Sequence, residues 1–184
     1  MNNELSDKIF NDFPEFFKHK DNMRASLMMF GFECGDGWFN LIYDLCRDIK
    51  DWFLNNESSH VVDDDLNVVV RKGVPPHFQV QQVKEKFGGL RFYIGGAPRV
   101  IHDMIRDAEF RSYFICEHCG KECVQDGNGY KSFYRDGLSW VLTLCDGCLD
   151  KHIFRKYGRK RKDGEDFISD WQREHSAPFV EVEV

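Results

Sequence analysis

The sequence has no apolar run approaching the roughly 18 residues that a membrane-spanning helix needs, which excludes that class of membrane protein. It also has no surplus of positive charge. Its 25 Lys and Arg stand against 31 Asp and Glu, a net charge of −6. A chain of that sign makes a poor non-specific nucleic-acid binder, which needs a broad positive field. The start, Met1-Asn-Asn-Glu4, is polar and acidic, without the basic and apolar regions of an export signal, so the expected compartment is a reducing cytoplasm. Seven cysteines is an odd count, which fits metal ligands and buried thiols better than a disulfide framework. Several catalytic signatures are missing. There is no Walker loop, no Gly-x-Ser-x-Gly elbow, no His-Glu-x-x-His pair, and no His-x-Glu followed by Pro-Cys-x-x-Cys of the zinc deaminases.

What is present is a folded chain of 184 residues, 42% apolar and 15% aromatic, long enough for one core and a small attached module. Seventeen phenylalanines are a heavy load, so part of the aromatic surface is expected to serve a partner. The strongest signal is Cys116-Glu-His-Cys119, answered about 25 residues later by Cys145-Asp-Gly-Cys148. Each pair presents two thiolates from one tight turn, and two facing turns make the tetrahedral sulfur site that structural Zn²⁺ prefers. Two disulfides or four free thiols are the alternative. Four thiolates would fill the metal's shell and leave no open position for catalysis, with Glu117 and Asp146 read as exposed turn residues.

Taken in order, residues 5–20 read as a helix interrupted or restarted at Pro14, with Phe10, Phe13, Phe16 and Phe17 facing the core. From Asp36, a candidate N-cap, to Leu54 the apolar residues recur at helical spacing. Cys46 lies beside that stripe as a small buried residue, and Cys34 in the preceding turn is a candidate lone reactive thiol. Residues 55–65 read as a polar loop and 66–70 as a strand. Residues 78–86 and 90–94 predict a hairpin about Phe87-Gly88-Gly89, with Gly-Gly supplying the positive φ angles of its turn. Leu90, Phe92 and Ile94 then face the core, and Arg91 and Tyr93 face out. Pro98 opens a helix running to about Ser112. Between the cysteine pairs Gly127-Asn-Gly129 reads as a turn, with short strands at 130–134 and 138–144. A short helix follows to Tyr157, and the end, Phe179 to Val184, is one edge strand or nothing ordered. The fold class expected is α+β, helices packed on a small antiparallel sheet, with a zinc ribbon near the C-terminus. The divisions are 1–112, 113–157 and a basic-then-acidic tail over 158–184.

Two surfaces offer binding chemistry. Lys84, Lys86, Arg91 and Arg99 cluster about the hairpin with Phe87 and Tyr93, where basic heads would grip phosphate and a ring would stack on a base. The bland alternative is a solvated hairpin face with Phe87 capping the core. The second surface is Arg155, Lys156, Arg159, Lys160, Arg161 and Lys162, a nucleic-acid-binding sketch behind a zinc ribbon, or a solvated helix end suited to the helix dipole.

Three pieces together carry a resemblance. They are Cys34-Gly-Asp-Gly-Trp-Phe-Asn-Leu-Ile42, Gln82-Val-Lys-Glu-Lys-Phe-Gly-Gly-Leu-Arg-Phe-Tyr93, and a helix leading into Cys116-x-x-Cys119-Gly120. Over roughly residues 28–148 the chain resembles a family of uncharacterised proteins encoded by bacteriophages and prophages. The resemblance implies a host bacterial cytoplasm and action on host factors, including counter-defence, but no mechanism. Members of that family often close the metal site with a Cys…His pair. This leaves His152, His118 and Cys123 as spare ligands beside the four cysteines. The expectation is a non-enzymatic binding protein capturing a phosphate-bearing, nucleotide-like host ligand on the hairpin. The alternatives are a DNA- or RNA-binding accessory protein, an inhibitor of a host protein, and a hydrolase of unfamiliar design.

Overall fold

The computed structural model describes residues 1–62, 68–122, 125–126, 129–130, 134–135 and 140–165. Cys123 and the tail from residue 166 lie outside them. Helix α1 (Asn3–Asp12) is capped by the Asn2 side chain, which accepts from the Leu5 amide at 2.9 Å. It ends because Phe13 precedes Pro14, and the proline ring disfavours helical backbone at the residue before it. No helix restarts there. The chain continues in turns that drop Phe16 and Phe17 into the core. Phe16 and Phe53 each meet Phe78 edge-on at 5.0 Å, so much of the phenylalanine load is an interlocked aromatic core.

Strand β1 (Phe32–Glu33) leads through a 3-10 turn at Asp36–Trp38 into helix α2 (Phe39–Asn55). The buried stripe of α2 is Leu41, Ile42, Leu45, Cys46, Ile49 and Phe53, the spacing of one helical face. Asp36 does not cap this helix. Its carboxylate accepts from the Asn2 backbone amide at 2.6 Å and the Asn2 side chain at 2.9 Å, tying the two helix starts together. After α2, strands β2 (Glu57–Val62) and β3 (Val68–Lys72) pair antiparallel, so 57–62 is strand where a loop was expected.

The central sheet has the order β1, β4 (Val80–Lys86), β5 (Gly89–Ile94). β4 and β5 form the expected antiparallel hairpin, but β1 joins β4 in parallel, so the sheet is mixed. One face, with Val83, Leu90 and Phe92, is buried in one cluster with the apolar stripe of α2, and helix α3 (Arg99–Arg111) packs on β5. β5 would be an open edge. Instead, the Leu90 amide donates to Ser112 Oγ and the Phe92 amide to Glu109 Oε1, both at 2.9 Å, so the end of α3 closes the edge with side-chain acceptors.

Beyond α3 lie four short strands among the described residues, β6 (Gln125–Asp126), β7 (Gly129–Tyr130), β8 (Tyr134–Arg135) and β9 (Leu142–Thr143), followed by helix α4 (Asp146–Tyr157). β6 pairs with β7 and β8 with β9. Cys116, Leu144, Cys145, Cys148, Leu149 and Ile153 form a second, much smaller buried cluster. Replacing Ser112, which is fully buried, by Ala should leave the Leu90 amide without an acceptor. Urea denaturation should show a loss of about 1–3 kcal/mol. An unchanged midpoint would mean the edge is closed some other way.

Candidate metal centre and the hairpin it braces

Cys116 and Cys119 sit on a turn closed by the Gly120 amide on the Cys116 carbonyl at 2.8 Å. Gly120 carries the positive φ of +73° that brings the chain back. Cys145 occupies the N-cap position of α4 without a side-chain capping bond, and Cys148 lies in its first turn. The ligand atoms of all four cysteines fall within 4.8 Å of one another, with Cys119 Sγ 3.7 Å from Cys145 Sγ. None of the four forms a disulfide. Three are buried and Cys119 is exposed. These four sulfurs converge as a set that could hold a metal ion. His118 and His152 stand outside the set, although His118 Nδ1 comes to 3.8 Å from Cys148 Sγ. Burial pushes the Cys116 thiol up, so removing its proton calls for a cation at the site.

The two cysteine turns are tied together, since the Glu117 amide donates to Thr143 O at 2.9 Å. The first turn is also pressed against the segment that starts α2. The Gly37 amide donates to Glu117 O at 2.7 Å, Gly35 to Glu117 Oε1 at 2.9 Å, and the fully buried Trp38 gives its indole N–H to Ile115 O at 2.9 Å. A Cβ on Gly35 or Gly37 would overlap backbone atoms of this turn. The Gly-Asp-Gly-Trp string is therefore a seat for the metal turn. Glu117 is not the exposed residue expected; it is half-buried, and burial raises its carboxyl against the pull of the Gly35 amide. Asp146 is exposed, and pairs with Arg135 at 3.1 Å and Arg161 at 3.0 Å. Cys34 is no reactive thiol: it is buried, and desolvation pushes its pKa up to about 12. Cys46 is fully buried, as expected.

On the hairpin, Lys84 lies directly across from Arg91 and Gln82 from Tyr93, so these residues share the outward face. Lys84 Nζ stands 5.6 Å from the Tyr93 ring centroid, and Lys86 Nζ 5.3 Å from that of Phe87. Arg91 is held by its own strand and by the Tyr113 hydroxyl at 3.3 Å. Arg99 leaves from the other end of β5, exposed on the first turn of α3, with Asp103 at 3.9 Å. Phe87 does not cap the core. It is 64% exposed and sits at φ +55°, with Gly88 at +74°. The turn is thus Phe87-Gly88, one residue earlier than the Gly-Gly reading. Gly89 is required for a different reason, since a Cβ there would strike Tyr113 and Arg91.

The residues bracing this turn carried no sequence signal. Glu85 accepts from the Gly88 amide at 2.6 Å and from the Trp140 indole N–H at 2.9 Å, and Thr143 donates to Gly88 O. Trp140 and Thr143 belong to the cysteine module, so the module grips the hairpin tip. In the basic run, Arg159 forks onto Glu165 at 2.7 and 2.8 Å, and Arg161 meets Asp146 and Asp150. Lys156 lies 5.5 Å from the Tyr157 ring centroid, while Arg155 and Lys160 are exposed.

Comparison of the chain with protein-family models, curated proteins and solved structures gives no match.

Gly37→Ala should force the metal turn off its seat. Thermal unfolding should report a loss of about 1–3 kcal/mol, as for other overpacked sites. Gly96→Ala, where a Cβ meets nothing within 4 Å, should stay within about 0.5 kcal/mol of the parent. Equal melting temperatures for the two would contradict the seat.

Proposed function

We propose that the protein is a non-enzymatic binding protein that captures a phosphate-bearing, nucleotide-like ligand on the outward face of the β4–β5 hairpin, with a structural zinc ion holding the module that braces the hairpin tip. The observation that carries this reading is Phe87. A bulky residue in left-handed backbone costs about 1–3 kcal/mol, and such strain persists where the surroundings impose it. Here Glu85, Thr143 and Trp140 impose it, and the result is a ring held out in solvent beside Lys86, on the hairpin that carries Lys84, Arg91 and Tyr93. Two aromatic faces with cations already over them suit a base and its phosphate, which would replace the intramolecular contacts.

Zinc suits the sulfur set. Tetrahedral Zn–S bonds of about 2.3 Å put sulfurs about 3.8 Å apart, close to the Cys119–Cys145 separation of 3.7 Å. Four thiolates leave no position for substrate, which supports a structural role over a catalytic one. The nucleic-acid reading through Arg155 to Lys162 has less support, because carboxylates already engage Arg159 and Arg161. The phage resemblance adds the setting, a viral protein acting on a host signal in the bacterial cytoplasm, with counter-defence as its purpose.

Native mass spectrometry of the chain purified from bacteria tests both halves. It should show one zinc per chain and a nucleotide adduct, retained or formed on adding a cyclic dinucleotide. The adduct should fall at least about tenfold in Lys84→Ala/Arg91→Ala, the loss expected for a charge-assisted hydrogen bond. An adduct indifferent to those substitutions would place the ligand elsewhere, and a zinc-free folded chain would end the structural-metal reading.

A further inference from the structure

A cavity of about 200 Å³ lies between the first cysteine turn and α4. That is several times the volume of about 30 Å³ a water molecule occupies in the liquid. Leu142 and Leu144 of the β9 segment form its apolar wall. The rest of its lining is Gly35, Glu117, Cys148 of the sulfur set, and four side chains able to donate. Lys151 and Arg155 stand four residues apart on α4, so they share one side of that helix, and His152 lies between them. His118 faces them from the metal turn. His152 Nε2 is buried and has no hydrogen-bond partner among the described residues. A buried polar atom without a partner is uncommon, and a bound group is one of the things that would satisfy it.

The acids nearby are already engaged. Glu117 lines the inner wall, but its Oε1 takes the Gly35 amide. Asp146 and Asp150 are bound by Arg161, and Asp146 also by Arg135. Among the described residues neither Lys151 nor Arg155 is in an ion pair. Two cations and two imidazoles converging from two elements match an anion with oxygens pointing several ways better than a planar carboxylate.

We propose that this cavity binds a phosphate group, either the free ion or the end of a phosphate monoester, through Lys151, Arg155 and the imidazoles of His118 and His152. The site is separate from the hairpin face and does not depend on the function proposed for it. Lys151 and Arg155 are exposed at the cavity mouth, so their removal leaves the fold intact, which an unchanged melting temperature verifies.

Isothermal titration of the full-length, metal-loaded chain with inorganic phosphate, and separately with AMP, tests the proposal at constant chloride. Saturable binding of inorganic phosphate is expected. It should weaken at least about tenfold in Lys151→Ala/Arg155→Ala and stay unchanged in Lys84→Ala/Arg91→Ala. AMP binding with the same dependence on Lys151 and Arg155 would assign a monoester, and phosphate without AMP would assign the free ion. No phosphate binding, or binding indifferent to Lys151→Ala/Arg155→Ala, overturns the site. AMP binding lost only in Lys84→Ala/Arg91→Ala, with no phosphate binding that depends on Lys151 and Arg155, would overturn it while leaving the hairpin reading standing.

Discussion

The close approach of two backbone segments, Gly35–Trp38 and Ile115–Gly120, is the constraint from which the arrangement of the site follows. Peptide groups on each side satisfy one another, and Trp38 closes the contact from below. The approach requires that Gly35 and Gly37 carry no side chain, because any Cβ would occupy the space of the opposing chain. Among the described residues the module's own buried cluster has six members, so apolar burial there is small. The sulfur set supplies what burial does not: a metal bound there would fix both cysteine turns at once, and with them the strand that reaches the hairpin.

The same module then reaches back across 55 positions of sequence. Thr143 follows the first turn through its bond to the Glu117 amide, and its hydroxyl ends on Gly88. Trp140, at the start of the same segment, reaches Glu85. Left-handed backbone at Phe87 is costly in isolation, so the tip is expected to relax when these partners leave. On this account a metal bound at the sulfur set would shape the hairpin tip from a distance.

The parts of this arrangement that depend on local rules were readable in the sequence. The Cys-x-x-Cys spacing announced the sulfur set, the apolar period announced α2 and α3, and alternation announced which face of β5 is buried. What failed depended on neighbours far along the chain. Pro14 ended α1 as its ring dictates, but Phe16 and Phe17 found the core from turns because Phe53 and Phe78 were waiting there. Gly89 looked like a turn residue, and its real constraint is Tyr113, twenty-four positions on. Asp36 had the type and place of an N-cap, yet Asn2 claimed it. Glu117 looked exposed within its turn because nothing local shows that Gly35 will cover it. The Gly-Asp-Gly-Trp string was recognisable as a motif, but its purpose as a seat required both surfaces to be in view.

Hydrogen exchange of the metal-loaded chain against the chelator-stripped chain tests the central claim most directly. The account predicts that stripping the metal removes protection from the cysteine turns and also from the amides of Gly35, Gly37 and Gly88, while α2 from Leu41 to Phe53 stays protected. Loss of protection confined to residues 115–122 and 142–157, with Gly35, Gly37 and Gly88 unchanged, would show that the metal module does not brace the seat or the hairpin tip.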